Sequence, residues 1–201
     1  FFFKQKTAYE IKECDWSSNV CSSDLGRCDA DGYFYLTGRK KELIIRGGHN
    51  IDPAVIEEPL HQHPAVQLAA AIGRPDAHAG EVPVAYVQLR PGAQAQGAEL
   101  LDFVRERIGE RAAVPKAIHI VAEMPLTGVG KIFKPELKLR ETQDALREAL
   151  QGAGVAVGSV QARQDPARGM CVAVTLAPGG DIGLARTVLG RFPHTIDIVQ
   201  P

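Results

Sequence analysis

Residues 38–60 read GRKKELIIRGGHNIDPAVIEEPL, and this stretch holds strand, turn and helix signals in close succession. β-Branched residues over 42–46 favour a strand, and Gly47 and Gly48 break it because glycine adopts turn conformations at little steric cost. Asp52 followed by Pro53 is typical of a helix start, where the missing N–H of proline does no harm. The stretch therefore predicts a strand that ends at a pair of glycines and leads into a helix.

Strand and helix patterns also alternate on either side of this stretch. Aromatic residues favour a strand before it, and short apolar runs and amphipathic patterns follow it. The predicted elements are strands over 33–36, 65–73, 81–89 and 116–121, a helix over 98–109 and a helix from Pro135 to Leu150. A loop over 74–80, rich in turn-forming residues, joins two short strands. We therefore predict a compact α+β domain over residues 26–150.

Gly152 and Gly154 mark the end of that domain in the sequence. The remaining residues, 151–201, show the order strand, strand, helix, strand, with a hairpin loop at QDPARG. They contain no paired carboxylates, no His/Cys cluster and no glycine-rich phosphate loop. We predict a small α+β extension and assign it no chemistry.

The composition is that of a globular protein with a packed core, since 45% of the 201 residues are hydrophobic and 23% are charged. A formal net charge of −1 provides no basic field to attract nucleic acid or anionic lipid. No apolar run approaches the roughly 18 residues that a membrane-spanning helix needs. The four cysteines fit neither a zinc spacing nor a disulfide framework. We predict a cytoplasmic protein without a nucleic-acid partner, a metal site or a membrane span.

Residues 1–25, FFFKQKTAYEIKECDWSSNVCSSDL, differ from the rest of the chain because they show no period of 2 or 3.6. No uninterrupted apolar stretch follows Lys4 and Lys6, so the segment does not fit a signal peptide. It resembles the conceptual translation of a sequencing primer and adapter joined across a short index. We therefore predict an artefactual segment, the alternative being a natural disordered N-terminus, and leave it out of the fold prediction.

A second stretch, PLTGVGKIFKPEL at residues 125–137, places Lys131 on a glycine-containing loop before a helix. A phosphate-binding P-loop does not fit, because Pro125 stands where its first glycine belongs and Ile132 where its Ser or Thr holds magnesium. The sequence also lacks a G-x-S-x-G elbow and a helical H-x-x-x-H pair. From the residues alone, Lys131 is either a reagent for an active site located elsewhere or an exposed surface lysine.

Together the two stretches resemble the adenylate-forming acyl-CoA synthetase and ligase superfamily, specifically its small C-terminal domain. Residues 38–60 are similar to the hinge and hairpin motif of that family, and residues 125–137 to its closing P-x-T-x-x-G-K-I motif. The resemblance extends over about residues 26–140. It implies the α+β lid domain of these enzymes, in which a β-hairpin and a small sheet are packed by helices.

The resemblance also implies roles for single residues at matching positions. Lys131 matches the lysine that reaches the acyl carboxylate and the α-phosphate during adenylation. Lys41 matches the hinge residue of the family, although the sequence alone indicates only a solvated turn residue. Arg39 matches an arginine that contacts the ribose of the adenylate.

Three further residues match positions on the CoA side of the family. Gly47 and Gly48 match the hairpin turn beside which the pantetheine arm of CoA passes, the alternative being that they merely end a strand. Arg105 lies near a position that contacts the CoA phosphate in some members, although the sequence alone favours a plain polar helix face.

The resemblance implies a parent enzyme that uses ATP, Mg²⁺ and CoA to join a carboxylic acid, such as a fatty acid, to CoA. The N-terminal adenylation domain of that parent, with its phosphate loop and acyl pocket, is missing from the 201 residues. We therefore expect the chain alone to be inactive and to hold none of these cofactors tightly. Two alternatives stay open: a non-enzymatic binding or dimerisation module, and the lid of another adenylate-forming enzyme such as a peptide-synthetase adenylation domain.

Overall fold

The computed structural model describes residues 9–10, 24–28, 31–165 and 167–199, and the chain divides into two compact units between residues 43 and 44. The strands of the first unit are β1 (Tyr9–Glu10), β2 (Asp24–Cys28) and β3 (Phe34–Arg39). They form an antiparallel sheet in the order β1-β2-β3, and a 3-10 helix at Lys40–Glu42 follows. Most of residues 1–25 lies outside the described residues, so the interpretation of that segment as an artefact or a disordered tail stays a prediction.

The second unit begins with a five-stranded sheet. Its strands are β4 (Ile44–Arg46), β5 (His49–Ile51), β6 (Val66–Asp76), β7 (Gly80–Leu89) and β8 (Ile118–Val121). Four of them are antiparallel in the order β5-β4-β7-β6, and β8 runs parallel to β7. Three helices pack on this sheet: α1 (Ala54–His61), α2 (Gly97–Arg105) and α3 (Lys134–Gly152).

The hairpin of β6 and β7 has residues buried on both faces of the sheet. Ala69 and Ala71 face a core shared with α1 and α2, whereas Ala70 and Ile72 face a second core shared with α3. Successive side chains of a strand point to opposite faces, which accounts for this alternation. Helices therefore cover both sides of the sheet, and the predicted α+β architecture is confirmed.

Several predicted strand boundaries are wrong. The strand before the glycine pair begins only at Ile44, because residues 40–42 form a 3-10 helix. The hairpin strands predicted as short are 11 and 10 residues long, and only residues 77–79 remain between them. Pairing continues as far as Asp76 opposite Gly80, whose φ of 77° suits the tight turn.

The extension contains β9 (Val157–Asp165), β10 (Gly169–Leu176), α4 (Ile182–Leu189) and β11 (Thr195–Val199), in the predicted order. β10 is the central strand, antiparallel to β9 and parallel to β11. The core of the extension includes Leu146 and Leu150 of α3, both fully buried. Helix α3 therefore serves two cores, and the predicted domain boundary at residue 150 falls within its last turn.

Candidate functional site

Lys131 lies in a short loop between β8 and α3 and is exposed. An antiparallel bridge between Leu126 and Ile132 closes the loop, and the Thr127 N–H donates to the Lys131 carbonyl at 2.7 Å. Gly130, with a φ of 78°, donates its N–H to the Thr127 carbonyl at 2.8 Å. The glycine-containing loop predicted from the sequence is therefore a turn that backbone hydrogen bonds close.

Three large apolar side chains beside Lys131 are also exposed. They are Leu126 at 49%, Val129 at 80% and Phe133 at 42% of their full surface. Clustered apolar side chains on a surface commonly mark contact with another protein surface. The loop thus presents a cation and three large apolar side chains to solvent.

A buried carboxylate ties together the elements on either side of this loop. Glu141 of α3 is 1% exposed, and it accepts hydrogen bonds from Tyr86 Oη and from the Arg74 guanidinium, each at 2.7 Å. His119 Nε2 of β8 lies 3.0 Å from Glu141 Oε1. That distance suits a hydrogen bond but the geometry does not, so the contact acts as an ion pair when His119 is protonated. These four residues, the Glu141 cluster, connect α3 with β6, β7 and β8.

The contacts within the Glu141 cluster shift the pKa values of its members. Burial raises the pKa of Glu141, but the contacts with His119, Tyr86 and Arg74 outweigh it, so that the pKa is lowered overall. The contact with Glu141 raises the pKa of His119 above its ordinary value, against the opposing effect of burial. Burial, assisted by Glu141, raises the pKa of the Tyr86 hydroxyl. The cluster is therefore built around an ionised Glu141.

A second ion pair fixes the start of α3. Lys134 Nζ lies 2.9 Å from Glu57 Oε1 of α1, and the two side chains are only 17% and 20% exposed. Glu57 Oε1 also accepts the Ala71 N–H of β6 at 2.8 Å. Because Lys134 is three residues after Lys131, the loop is anchored by the helix that follows it while Lys131 itself stays exposed.

Gly47 and Gly48 form the turn between β4 and β5. Their φ angles of 54° and 87° lie in the left-handed region, which glycine adopts without strain. A Cβ added at either position would meet nothing within 4 Å. The backbone conformation, not crowding, therefore requires glycine here, and the space beside the turn is open to a ligand.

A cleft of about 400 Å³ lies near this turn and is lined by four cationic side chains. This cationic cleft is lined by Arg46, Arg105, Arg111, Val114, Pro115 and Lys116. A second pocket of about 600 Å³, the turn pocket, shares two arginines with it and is lined by Arg46, Gly47, His49, Ala79, Glu110, Arg111 and Ala112. A ligand with its anionic groups in the cleft can therefore extend along the glycine turn.

The four cations of the cleft come from separate parts of the chain. Arg46 ends β4, where its guanidinium donates to the Ala112 carbonyl at 2.7 Å. Arg105 ends α2 and pairs with Asp102 at 2.5 Å. Arg111 and Lys116 lie in the segment between α2 and β8. Only Arg105 was indicated by the sequence, because no local motif distinguishes the other three from ordinary surface cations.

Arg39 and Lys41, the other two predicted site residues, belong to the first compact unit. Arg39 ends β3, and its guanidinium lies 4.0 Å from the Glu42 carboxylate with 61% of the side chain exposed. Lys41 is the middle residue of the 3-10 helix and is exposed. The border between the two compact units follows it by two residues.

Two kinds of feature are absent from residues 9–10, 24–28, 31–165 and 167–199. There, no group of three or more His, Cys, Asp or Glu side chains is placed to hold a metal ion. None of the helices within the same ranges is long and apolar enough to cross a membrane.

Residues 55–131 match the family model of the AMP-binding enzyme C-terminal domain. The chain is 54% identical over 130 residues to a marinolic acid–CoA ligase of a Pseudoalteromonas species, an alignment that covers 65% of this chain and 20% of that protein. It is 42% identical over 123 residues to a long-chain-fatty-acid–CoA ligase of Bacillus subtilis, covering 61% of this chain and 22% of that protein. The chain thus spans about a fifth of the length of these relatives.

Solved structures show the same relationship. The crystal structure of ATP-bound MatB from Rhodopseudomonas palustris aligns with a TM-score of 0.57 and 32% identity, over 61% of this chain and 24% of that one. The anthranilate CoA ligase AuaEII in complex with anthranoyl-AMP aligns with a TM-score of 0.54 and 33% identity, with the same coverage. The resemblance predicted from the two motifs, and the lid-domain fold that it implies, are confirmed.

Proposed function

We propose that this chain, a member of the AMP-binding enzyme C-terminal domain family, is the lid of an ATP-dependent, AMP-forming ligase that joins a carboxylic acid, such as a fatty acid, to CoA. The observation that carries the proposal is the match over residues 55–131, strengthened by relatives named as acid–CoA ligases. The exposed Lys131 turn supports it further. In this proposal a larger adenylation domain binds ATP and the acid, and the lid completes the site.

Lys131 serves the first half-reaction. A carboxylate oxygen of the acid attacks the α-phosphorus of ATP, the acyl adenylate forms, and pyrophosphate leaves. Negative charge collects where the carboxylate meets the α-phosphate, and the ammonium of Lys131 stabilises it. Because the turn is already closed, less conformational entropy is lost when Lys131 is positioned for the reaction. Arg39 contacts the ribose of the adenylate, as the resemblance implies.

The glycine turn and the cationic cleft serve the second half-reaction. The CoA sulfur attacks the acyl carbonyl, the thioester forms, and AMP leaves with the bonding electrons. Gly47 and Gly48 leave open space for the pantetheine arm. The cleft offers four cations to the phosphates of the CoA nucleotide, and guanidinium groups suit phosphate because they donate in a fixed fork. Arg105 thus shares its proposed role with three residues that the motifs did not indicate.

Lys41 acts as the hinge between the two half-reactions. The border between the compact units, two residues further on, supports this role, as does the short 3-10 helix in which Lys41 lies. Short segments at the ends of elements absorb dihedral changes when domains move. The parent enzyme would use Mg²⁺ together with ATP, as the resemblance implies.

Complementation tests the function of Lys131. The adenylation domain of a relative is expressed without its own lid and mixed with this chain, and adenylate formation is trapped with hydroxylamine while pyrophosphate is measured. We expect activity only in the mixture, and Lys131→Ala to lower it about 100-fold or more, as loss of one transition-state donor does. Lys138→Ala, on the helix that follows, is the matched control and keeps the activity.

Two results of the same experiment would contradict the proposal. Pyrophosphate release by this chain alone would show that it contains its own active site. Equal complementation by wild type and Lys131→Ala would leave the alternative of a binding or dimerisation module.

The lid of a peptide-synthetase adenylation domain differs in its acceptor, so a full-length relative that transfers the acyl group to a carrier protein and not to CoA favours that reading. The cytoplasmic location stays a prediction.

A further inference from the structure

The core of the extension contacts the loop between β6 and β7, which leads to the glycine turn. This core consists of apolar residues from β9, β10, α4, β11 and the end of α3. One side chain of the β6–β7 hairpin also packs against this core, namely Ala77 in the loop between the two strands. The extension therefore contacts the tip of the β6–β7 hairpin. It also packs against the end of α3.

The loop that carries Ala77 has a fixed shape. Asp76 Oδ1 accepts the N–H groups of His78 at 2.9 Å and of Ala79 at 3.0 Å. An aspartate that binds two successive N–H groups replaces a backbone turn with its own side chain. Displacement of Ala77 is therefore transmitted to Ala79, two residues along the same turn.

Ala79 and its neighbours hold the strand that leads into the glycine turn. The Ala79 carbonyl accepts the Gly47 N–H at 2.8 Å, and Arg46 pairs with Gly80. Next to them, Glu81 Oε2 accepts the Ile45 N–H at 2.9 Å. Ala79 also lines the turn pocket together with Gly47. A continuous set of contacts thus runs from the extension core through Ala77 and Ala79 to Gly47.

We infer that the extension, residues 155–199, is a positioning element that sets the β6–β7 loop and through it the Gly47–Gly48 turn. Ala77 and Ala79, both in the β6–β7 loop, are the positioning residues that connect the extension to the turn. As far as CoA is concerned the inference rests on the proposed function, because the turn pocket is where the pantetheine arm would pass. Detachment of the loop from the extension loosens this turn and leaves the Lys131 turn unchanged.

Amide hydrogen exchange measured by NMR on the whole chain tests this inference without CoA or an adenylation domain. Ala77→Asp places a charge against the apolar core and detaches the loop. The exchange of the Gly47 N–H should then accelerate about fivefold, a factor that corresponds to the net contribution of one hydrogen bond to stability. The Gly130 N–H is the internal control, because it also donates at 2.8 Å within a turn, and its exchange should stay the same.

Ala117→Asp is the matched variant, because Ala117 packs half-buried against the core of Ala70, Ile72 and Leu137 and not against the core that contains Ile44 and Ile51 of the β4–β5 hairpin. It should leave Gly47 exchange unchanged. Should Ala77→Asp fail to fold, Ala77→Ser provides a milder version with the same expected direction. Unchanged Gly47 exchange in a folded Ala77 variant, or equal acceleration at Gly47 and Gly130, overturns the inference. Failure of Lys131→Ala to affect complementation would instead contradict the proposed function and leave this result intact.

Discussion

The cationic cleft and the Glu141 cluster both contain arginine on the same domain, yet their arginines have different surroundings. Arg74 of the cluster is 13% exposed and bound to a carboxylate that is 1% exposed. Arg105 of the cleft is 56% exposed and pairs with Asp102, which is 71% exposed. The charge of Arg74 is therefore already neutralised by a buried carboxylate. The guanidinium of Arg105 is paired at the surface, where solvent or a phosphate can compete with Asp102 for it.

This difference separates a charge that holds the fold from a charge that is available to a ligand. A buried ion pair that loses one partner leaves an uncompensated charge, which costs much more than the loss of an exposed pair. Substitutions in the cluster should therefore change stability, and substitutions in the cleft should change binding. Each prediction below tests one side of that separation.

The largest effect is expected for Glu141→Ala. The substitution leaves Arg74 and Tyr86 without their buried acceptor, and we expect the free energy of unfolding to fall by about 3–5 kcal/mol. Guanidinium unfolding followed by circular dichroism measures it. Glu148→Ala is the matched control, because Glu148 binds the same Arg74 at 2.5 Å but is 67% exposed. It should cost about 1 kcal/mol or less, and a larger loss for Glu148 than for Glu141 would refute the distinction.

An intermediate effect is expected in the cleft. Arg111→Ala and Arg105→Ala should each weaken the binding of CoA to this chain about tenfold, because each removes a charge-assisted contact to phosphate. The free energy of unfolding should change by no more than about 0.5 kcal/mol. NMR titration with CoA at low salt measures the affinity, and added salt should weaken it.

Arg147→Ala is the control for the cleft variants. Arg147 forms an i,i+3 pair with Asp144 at 3.0 Å, as Arg105 does with Asp102, and the two arginine side chains are 41% and 56% exposed. Only Arg105 lines the cleft. Equal loss of CoA affinity in Arg147→Ala and Arg105→Ala would mean that overall charge, and not the cleft, attracts CoA.

The smallest effect concerns pH. The pKa of His119 is raised in the folded state, so its contribution to stability is present below its unfolded pKa and is lost as pH rises through the folded value. We expect His119→Gln to be less stable than wild type in weak acid, by about 1 kcal/mol or less because His119 is 39% exposed, with the gap closing towards higher pH. Urea unfolding at a series of pH values measures the gap. A gap that widens as pH rises would contradict the ion pair with Glu141.

The sequence predicted the parts of this protein that local patterns specify. The glycine pair, the helix start at Asp52–Pro53 and the order of elements in the extension follow from propensity and turn chemistry over a few residues, and the structure contains all three. The two motifs also indicated the family whose model matches residues 55–131. Strand ends were predicted less well, because the pairing of β6 with β7 continues wherever a partner strand is present.

Only the tertiary structure revealed the cleft, the Glu141 cluster and the contact of the extension with the β6–β7 loop. Arg46, Arg105 and Lys116 are up to 70 positions apart in the sequence, and nothing local distinguishes them from cations on a solvated surface. Burial likewise separates Glu141 from Glu148, which the sequence shows as two glutamates of one helix. The chain by itself determined which elements form, whereas packing decided which charges are neutralised and which remain available, because exposure depends on neighbours that are distant in sequence.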